Sequence, residues 1–135
     1  MPTPTAAQFR KATASSPQQA CVMVYRDNHR TLLWDDKLAV PGDPAAQRVP
    51  PEQCLVLDHT QFDVLQQAIR SGQPVRGALT ITRKPDGCYE FSASPTGSAA
   101  TGMARLSFDQ LEYTAFVRAV LNREFERSAF LLPAC

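Results

Sequence analysis

The chain is poor in the residues that catalysis draws on near neutral pH. It has two histidines and four cysteines, none of the cysteines at CxxC spacing. Histidine is the side chain whose ordinary titration falls between pH 5 and 8, so only His29 and His59 offer a general base of that kind. His59 follows Asp58 and reads as an exposed first-turn residue of a helix, and His29 sits in a polar turn. No G-x-S-x-G elbow, GxGxxG loop or GxxxxGK[ST] loop occurs, because Gly87, Gly97 and Gly102 stand alone. Cys21, Cys54, Cys88 and Cys135 are widely separated. They lack the paired ligand spacing of a zinc site, with or without the histidines. In a reducing compartment they are free thiols, with Cys21 and Cys54 placed as small core residues in apolar strands.

Long apolar runs and a one-signed charge are also missing. Nothing approaches the roughly 20 apolar residues that span a bilayer. The opening MPTPTAAQFRKATASS carries no apolar core of a secretory signal. These features predict a cytoplasmic protein that needs no membrane. Fourteen basic and thirteen acidic residues leave a net charge of +1, and neither half of the chain is a polycation. A large phosphate-driven footprint on nucleic acid is therefore not expected.

What the chain does have is a repeat. The segment LSFDQLEYTAFVRAVLNREF (Leu106–Phe125) aligns without a gap on the stretch that begins at Leu55. Leu55 falls under Leu106, Leu57 under Phe108, Asp58 under Asp109 and Phe62 under Tyr113. Leu65 then falls under Phe116, Ala68 under Ala119 and Ile69 under Val120. Each copy reads as a short strand leading through an aspartate into an amphipathic helix. Asp58 and Asp109 are expected N-caps, whose carboxylates accept orphan backbone N–H groups; each is worth roughly 1 kcal/mol. That role accounts for both without a paired-carboxylate acid–base site.

The strands fall around this repeat. Ala20–Arg26 and Thr31–Asp35 form a hairpin across a polar turn, and Cys54–Leu57 supplies a third strand. Ala39–Glu52 lies between them with four prolines and a glycine, and must be a loop. The first helix runs over about His59–Ser71, with Phe62, Leu65, Ala68 and Ile69 as its buried stripe. Gly72 and Pro74 end it. In the second half Ala78–Arg83 and Cys88–Ala93 make a hairpin through Lys84-Pro85-Asp86-Gly87. The loop Ser94–Gly102 leads to Ala104–Phe108, and a helix from Gln110 to about Arg123 buries Tyr113, Phe116, Val117 and Val120.

The expected fold is thus α+β, two β-β-β-α halves with one helix packed on the strands of each. A segment 1–19 precedes a first repeat over 20–73. A second repeat follows over 74–127, and then a tail, 128–135, with an apolar Phe-Leu-Leu.

Against this pattern the chain resembles a known family. Phe9-Arg10-Lys11, Ser15-Ser16 and Cys21-Val22-Met23-Val24 look like the WRKSS…CVEV opening of the BldB-like group of small actinobacterial regulators. Leu106–Phe125 is similar to that group's LTFTPAEWAAFLAGVRAGEF-like segment. Tyr113 stands at the Trp place, Phe116 at the Phe place and Glu124-Phe125 at the close. Departures are that the family Trp becomes Phe9, Phe62 and Tyr113, and that the second half lacks the RKSS opening. The RDSK-like strand is blurred to WDDK at 34–37 and to SAS at 92–94.

The resemblance implies a divergent tandem member, a monomeric pseudo-dimer where single-copy relatives would pair. It also implies a non-enzymatic regulator, antitoxin-like, that binds a helix-turn-helix transcription factor without a cofactor. Trp34, the only tryptophan, stands with Asp35, Asp36 and Lys37 at a strand end. These four, with the loops after the second strand of each half, make the expected partner-binding surface. The alternative from another class is a small-molecule or metal sensor with a pocket between the halves, the metal held by cysteines.

Overall fold

A computed structural model of the chain describes residues 4–10, 22–27, 29–39, 41–75, 77, 79–94, 102 and 104–126. Cys21, Cys135, most of the Ser94–Gly102 loop and the tail 128–135 lie outside the described residues. The fold is α+β: β1 (Val22–Arg26), β2 (Thr31–Asp35), β3 (Leu55–Leu57) and α1 (His59–Arg70), then β4 (Leu79–Arg83), β5 (Tyr89–Ala93), β6 (Leu106–Phe108) and α2 (Gln110–Leu121). Two three-stranded antiparallel sheets result, ordered β1-β2-β3 and β4-β5-β6.

The local chemistry sets these elements. Asp58 Oδ1 accepts from the Gln61 amide at 2.7 Å, and the Gln61 side chain accepts in return from the Asp58 amide at 2.8 Å. Asp109 and Glu112 form the same reciprocal box at 2.8 and 2.7 Å. Two of the four orphan N-terminal donors of each helix are satisfied in this way. At the other end of α1, Gly72 takes φ +71°, a left-handed conformation that glycine adopts without penalty. Its counterpart after α2 is Arg123, at φ 58°.

Strand register fixes which residues of the two halves correspond. In the first sheet Arg26 pairs with Thr31 and Thr31 with Leu57. In the second, Arg83 pairs with Tyr89 and Tyr89 with Phe108. Arg26 is therefore the twin of Arg83, Thr31 of Tyr89, Val24 of Ile81 and Leu33 of Phe91. The alternation of β-strands then assigns faces. Val22, Val24, Leu33, Leu55 and Leu57 point inward with Leu79, Phe91, Leu106 and Phe108, and with Phe62, Leu65, Phe116, Val120 and Phe125 they make one core drawn from both halves.

A second cluster lies on the other face of the first sheet. Met23, Leu32 and Trp34 pack there with Ala6, Phe9, Val49 and Cys54. The segment that covers them is laced down by backbone bonds. The Ala6 amide donates to the Gln47 carbonyl at 2.9 Å, the Val49 amide to the Pro4 carbonyl at 3.1 Å, and Arg10 bridges the edge of β1 at Val24. A short 3-10 turn at Asp36–Leu38 precedes the proline-rich stretch expected to be loop, which carries further turns at Pro44–Ala46 and Pro51–Gln53.

Candidate functional site

The expected surface at residues 34–37 is not a free surface. Trp34 lies on the outward side of β2 but is only 2% exposed. Its ring sits 5.6 Å from that of Phe9, and its indole N–H donates to Gln53 Oε1 at 3.0 Å. Asp35 points inward and is buried. Its carboxylate caps the Asp36–Leu38 turn by accepting from the Lys37 amide at 2.9 Å, with Lys37 Nζ 3.2 Å away. Asp36 is half-buried. Lys37 Nζ reaches into the other half. It donates to both oxygens of Glu112 at 3.1 and 3.0 Å and to the Ser107 carbonyl at 3.1 Å, and lies 4.7 Å from the centre of the Phe108 ring.

These contacts make Asp35 and Lys37 a clasp between the halves, while Asp36 and Lys37 keep part of their side chains exposed. Trp34 and Asp35 are buried because β2 is the central strand of its sheet, with both faces covered. Burial pushes the Asp35 carboxyl up. Hydrogen bonding and attraction from Lys37 pull part of that back, while the charge of Glu112 adds to the rise. For Lys37 burial acts downward, yet its bonds to Glu112 and Asp35 outweigh it and raise the ammonium above its ordinary value. Asp35 and Lys37 thus move the same way although paired, because Glu112 is the stronger partner of Lys37 and Asp35 sits deeper.

A second constellation lies at the opposite end of the inner face. Arg26 is buried, an unusual place for arginine unless its charge is met. Its Nη1 is 3.0 Å from Asp63 Oδ1 and donates to the Phe125 carbonyl at 3.0 Å. Its Nη2 lies 3.2 Å from His59 Nδ1, and the guanidinium rests 5.0 Å over the Phe62 ring. A guanidinium only donates, so His59 accepts at Nδ1, which also lies 3.1 Å from Thr31 Oγ1. His59 is half-buried rather than the exposed first-turn residue expected, because α1 starts directly above the Arg26–Thr31 end of the sheet. This cluster fixes α1 and the turn after α2 onto β1.

The third feature is the twin of that cluster, and it is open. A cleft of about 410 Å³ is lined by Ile69, Pro74 and Val75 from the end of α1 and by Ile81, Arg83, Tyr89, Tyr113 and Val117 from the second half. Tyr89 and Tyr113 stack with ring centres 4.0 Å apart and planes at 12°. Burial, and then the neighbouring Tyr89, raise the Tyr113 phenol, so its hydroxyl stays protonated and able to donate. Arg83 is exposed. The alternation and helical spacing place Tyr89 and Tyr113 on core-facing stripes, yet both are only half-buried. Along the chain Arg83 is indistinguishable from an ordinary strand-end charge. Its register with Arg26 is the signal that singles it out.

No protein-family model, curated protein or solved structure matches this chain. Among the described residues no group of three or more His, Cys, Asp or Glu side chains could hold a metal ion. Cys54 is buried in the outer cluster, where desolvation pushes its thiol up to about 12, and no cysteine lines the cleft. No helix among the described residues is long and apolar enough to cross a membrane.

Proposed function

We propose that this protein is a non-enzymatic, cytoplasmic regulatory adaptor of the BldB-like kind, a tandem pseudo-dimer that binds a helix-turn-helix transcription regulator and modulates it. One observation about the sheet edges carries this reading. On β1 the outward N–H and C=O of Val24 are bonded to Arg10, at 3.0 and 2.7 Å. On β4 the equivalent groups belong to Ile81, and among the described residues no chain pairs with that edge. An open edge is a template onto which a partner adds an extended strand, with main-chain bonds supplying affinity and adjacent pockets specificity. Ile81 also lines the cleft, so a docked strand would lie beside a ready pocket.

The test is affinity capture from an actinobacterial lysate with mass spectrometry, comparing the wild type with Ile81→Pro and Ser107→Ala. Proline removes the outward donor and is tolerated on strand edges, and circular dichroism checks that the variant folds. A helix-turn-helix protein retained by the wild type and by Ser107→Ala, and lost by folded Ile81→Pro, supports the adaptor and its edge. Equal retention by Ile81→Pro removes the edge from the proposal. Recovery of no such protein by any form removes the adaptor.

The cleft favours a second reading, a small-molecule sensor. It is bounded by both halves and falls within the roughly 300–1,000 Å³ of small-molecule sites.

A further inference from the structure

We propose that the cleft binds a small aromatic carboxylic acid, its ring against the Tyr89–Tyr113 stack and its carboxylate on Arg83. The proposal rests on the sensor reading and adds the chemical class of the ligand. The protein's own first half supplies the argument. There the twin arginine, Arg26, is met by the Asp63 carboxylate, the Phe125 carbonyl and the face of Phe62. By the helix alignment the counterparts around Arg83 are Thr114 and Tyr113 on α2 and Pro74 after α1. The aromatic face is kept, the carboxylate is gone, and Pro74 stands where Phe125 follows the other helix.

What remains is an arginine without its acid beside an open cleft. No aspartate or glutamate is among the residues lining the cleft. Among the described residues the Arg83 side chain has no ion pair, while its neighbour Lys84 is engaged by Glu90 at 3.7 Å. Guanidinium and carboxylate match in geometry as well as charge, and the protonated Tyr113 hydroxyl is a second donor. The remaining lining is mostly apolar, from Ile69, Pro74, Val75, Ile81 and Val117, with Gly72 and the polar Gln73 at the end of α1. An inorganic anion would leave those groups unused, and a neutral ring would leave Arg83 unused.

The test titrates the full-length protein with 3-phenylpropionate, 3-phenylpropionamide and acetate, read by amide NMR shifts and calorimetry, in the wild type and in Arg83→Gln. The expected result is that 3-phenylpropionate moves the Ile81, Tyr89 and Val117 resonances and binds about tenfold or more tightly than its amide. Acetate does not bind, and Arg83→Gln erases the preference. Arg83 is exposed, so the variant keeps its fold. If acid and amide bind alike, or Arg83→Gln binds the acid as well as the wild type does, the cleft takes small molecules but the carboxylate class is wrong. If none of the three shifts these resonances, the sensor reading falls with it.

Discussion

Turned away from the shared core, the first sheet shows Met23, Tyr25, Leu32, Trp34 and Val56, while the second shows Thr80, Thr82, Glu90, Ser92 and Ser107 at the equivalent register positions. The two sheets have the same pairing and the same inner face, so the difference does not come from strand formation. It comes from what lies on top. The first sheet carries the segment 4–10 and the stretch around Val49 and Cys54; on the second, the described residues include no such cover. A repeat must keep the face it shares with its partner, and its other face is free to follow whatever covers it. Small domains bury a modest share of their surface, so the added cluster also gives the first half more apolar burial than its twin.

The contrast between the sheets is tested most severely at Trp34. Trp34→Ala should destabilise the protein by about 3–5 kcal/mol, whereas Ser92→Ala at the twin position should change stability by less than about 0.5 kcal/mol. Urea midpoints followed by circular dichroism measure both. Equal effects would mean that the outer cluster contributes little.

The arginine pair is the next test. Arg26→Gln removes charge-assisted bonds to Asp63 and the Phe125 carbonyl and should cost about 2–3 kcal/mol. Arg83→Gln should be neutral to stability. A neutral Arg26→Gln would show that the closed cluster is packing alone.

Alkaline pH separates Cys54 from its twin Arg105, an exposed residue. The folded Cys54 thiol is raised from 9.0 to about 12, chiefly by burial. A raised folded value means that the stabilisation is present below the unfolded value and is lost as pH rises from about 9 toward 12. Cys54→Ala should therefore lose less stability than the wild type across that window, and the Cys54 thiol should resist alkylation below it.

Smaller still is the clasp. Lys37 is 45% exposed at its side chain, so Lys37→Met should cost no more than about 1 kcal/mol, and less at high salt. The smallest effect concerns no global stability at all. The Ile81 amide should exchange with deuterium faster than the Val24 amide, which donates to the Arg10 carbonyl at 3.0 Å.

Much of the architecture is legible in the amino-acid sequence. The bounds of β2 match the expected Thr31–Asp35, and the other strands and both helices begin or end within two residues of expectation. Both aspartates cap the helices that follow them. These features depend on local rules: alternation, a carboxylate one residue before a helix, and glycine or proline after it. The sites are less legible. Trp34 beside two aspartates looks like a surface residue because its sequence neighbours are polar, yet the residues that bury it, Phe9 and Gln53, are distant in the chain. Nothing in their local sequence marks Arg26 and Glu112 as buried charges, since their partners Asp63 and Lys37 come from other elements.

Spacing among near neighbours in the chain was enough to set the repeat, the α+β class, the order of elements and the shared face of each strand. The fate of the twin arginines was settled in three dimensions, where one is sealed and the other faces an open cleft. The strands carrying them are alike. Whether a guanidinium is met depends on a carboxylate, a carbonyl and a ring that other elements bring to it, and the second half has a threonine where the carboxylate would stand.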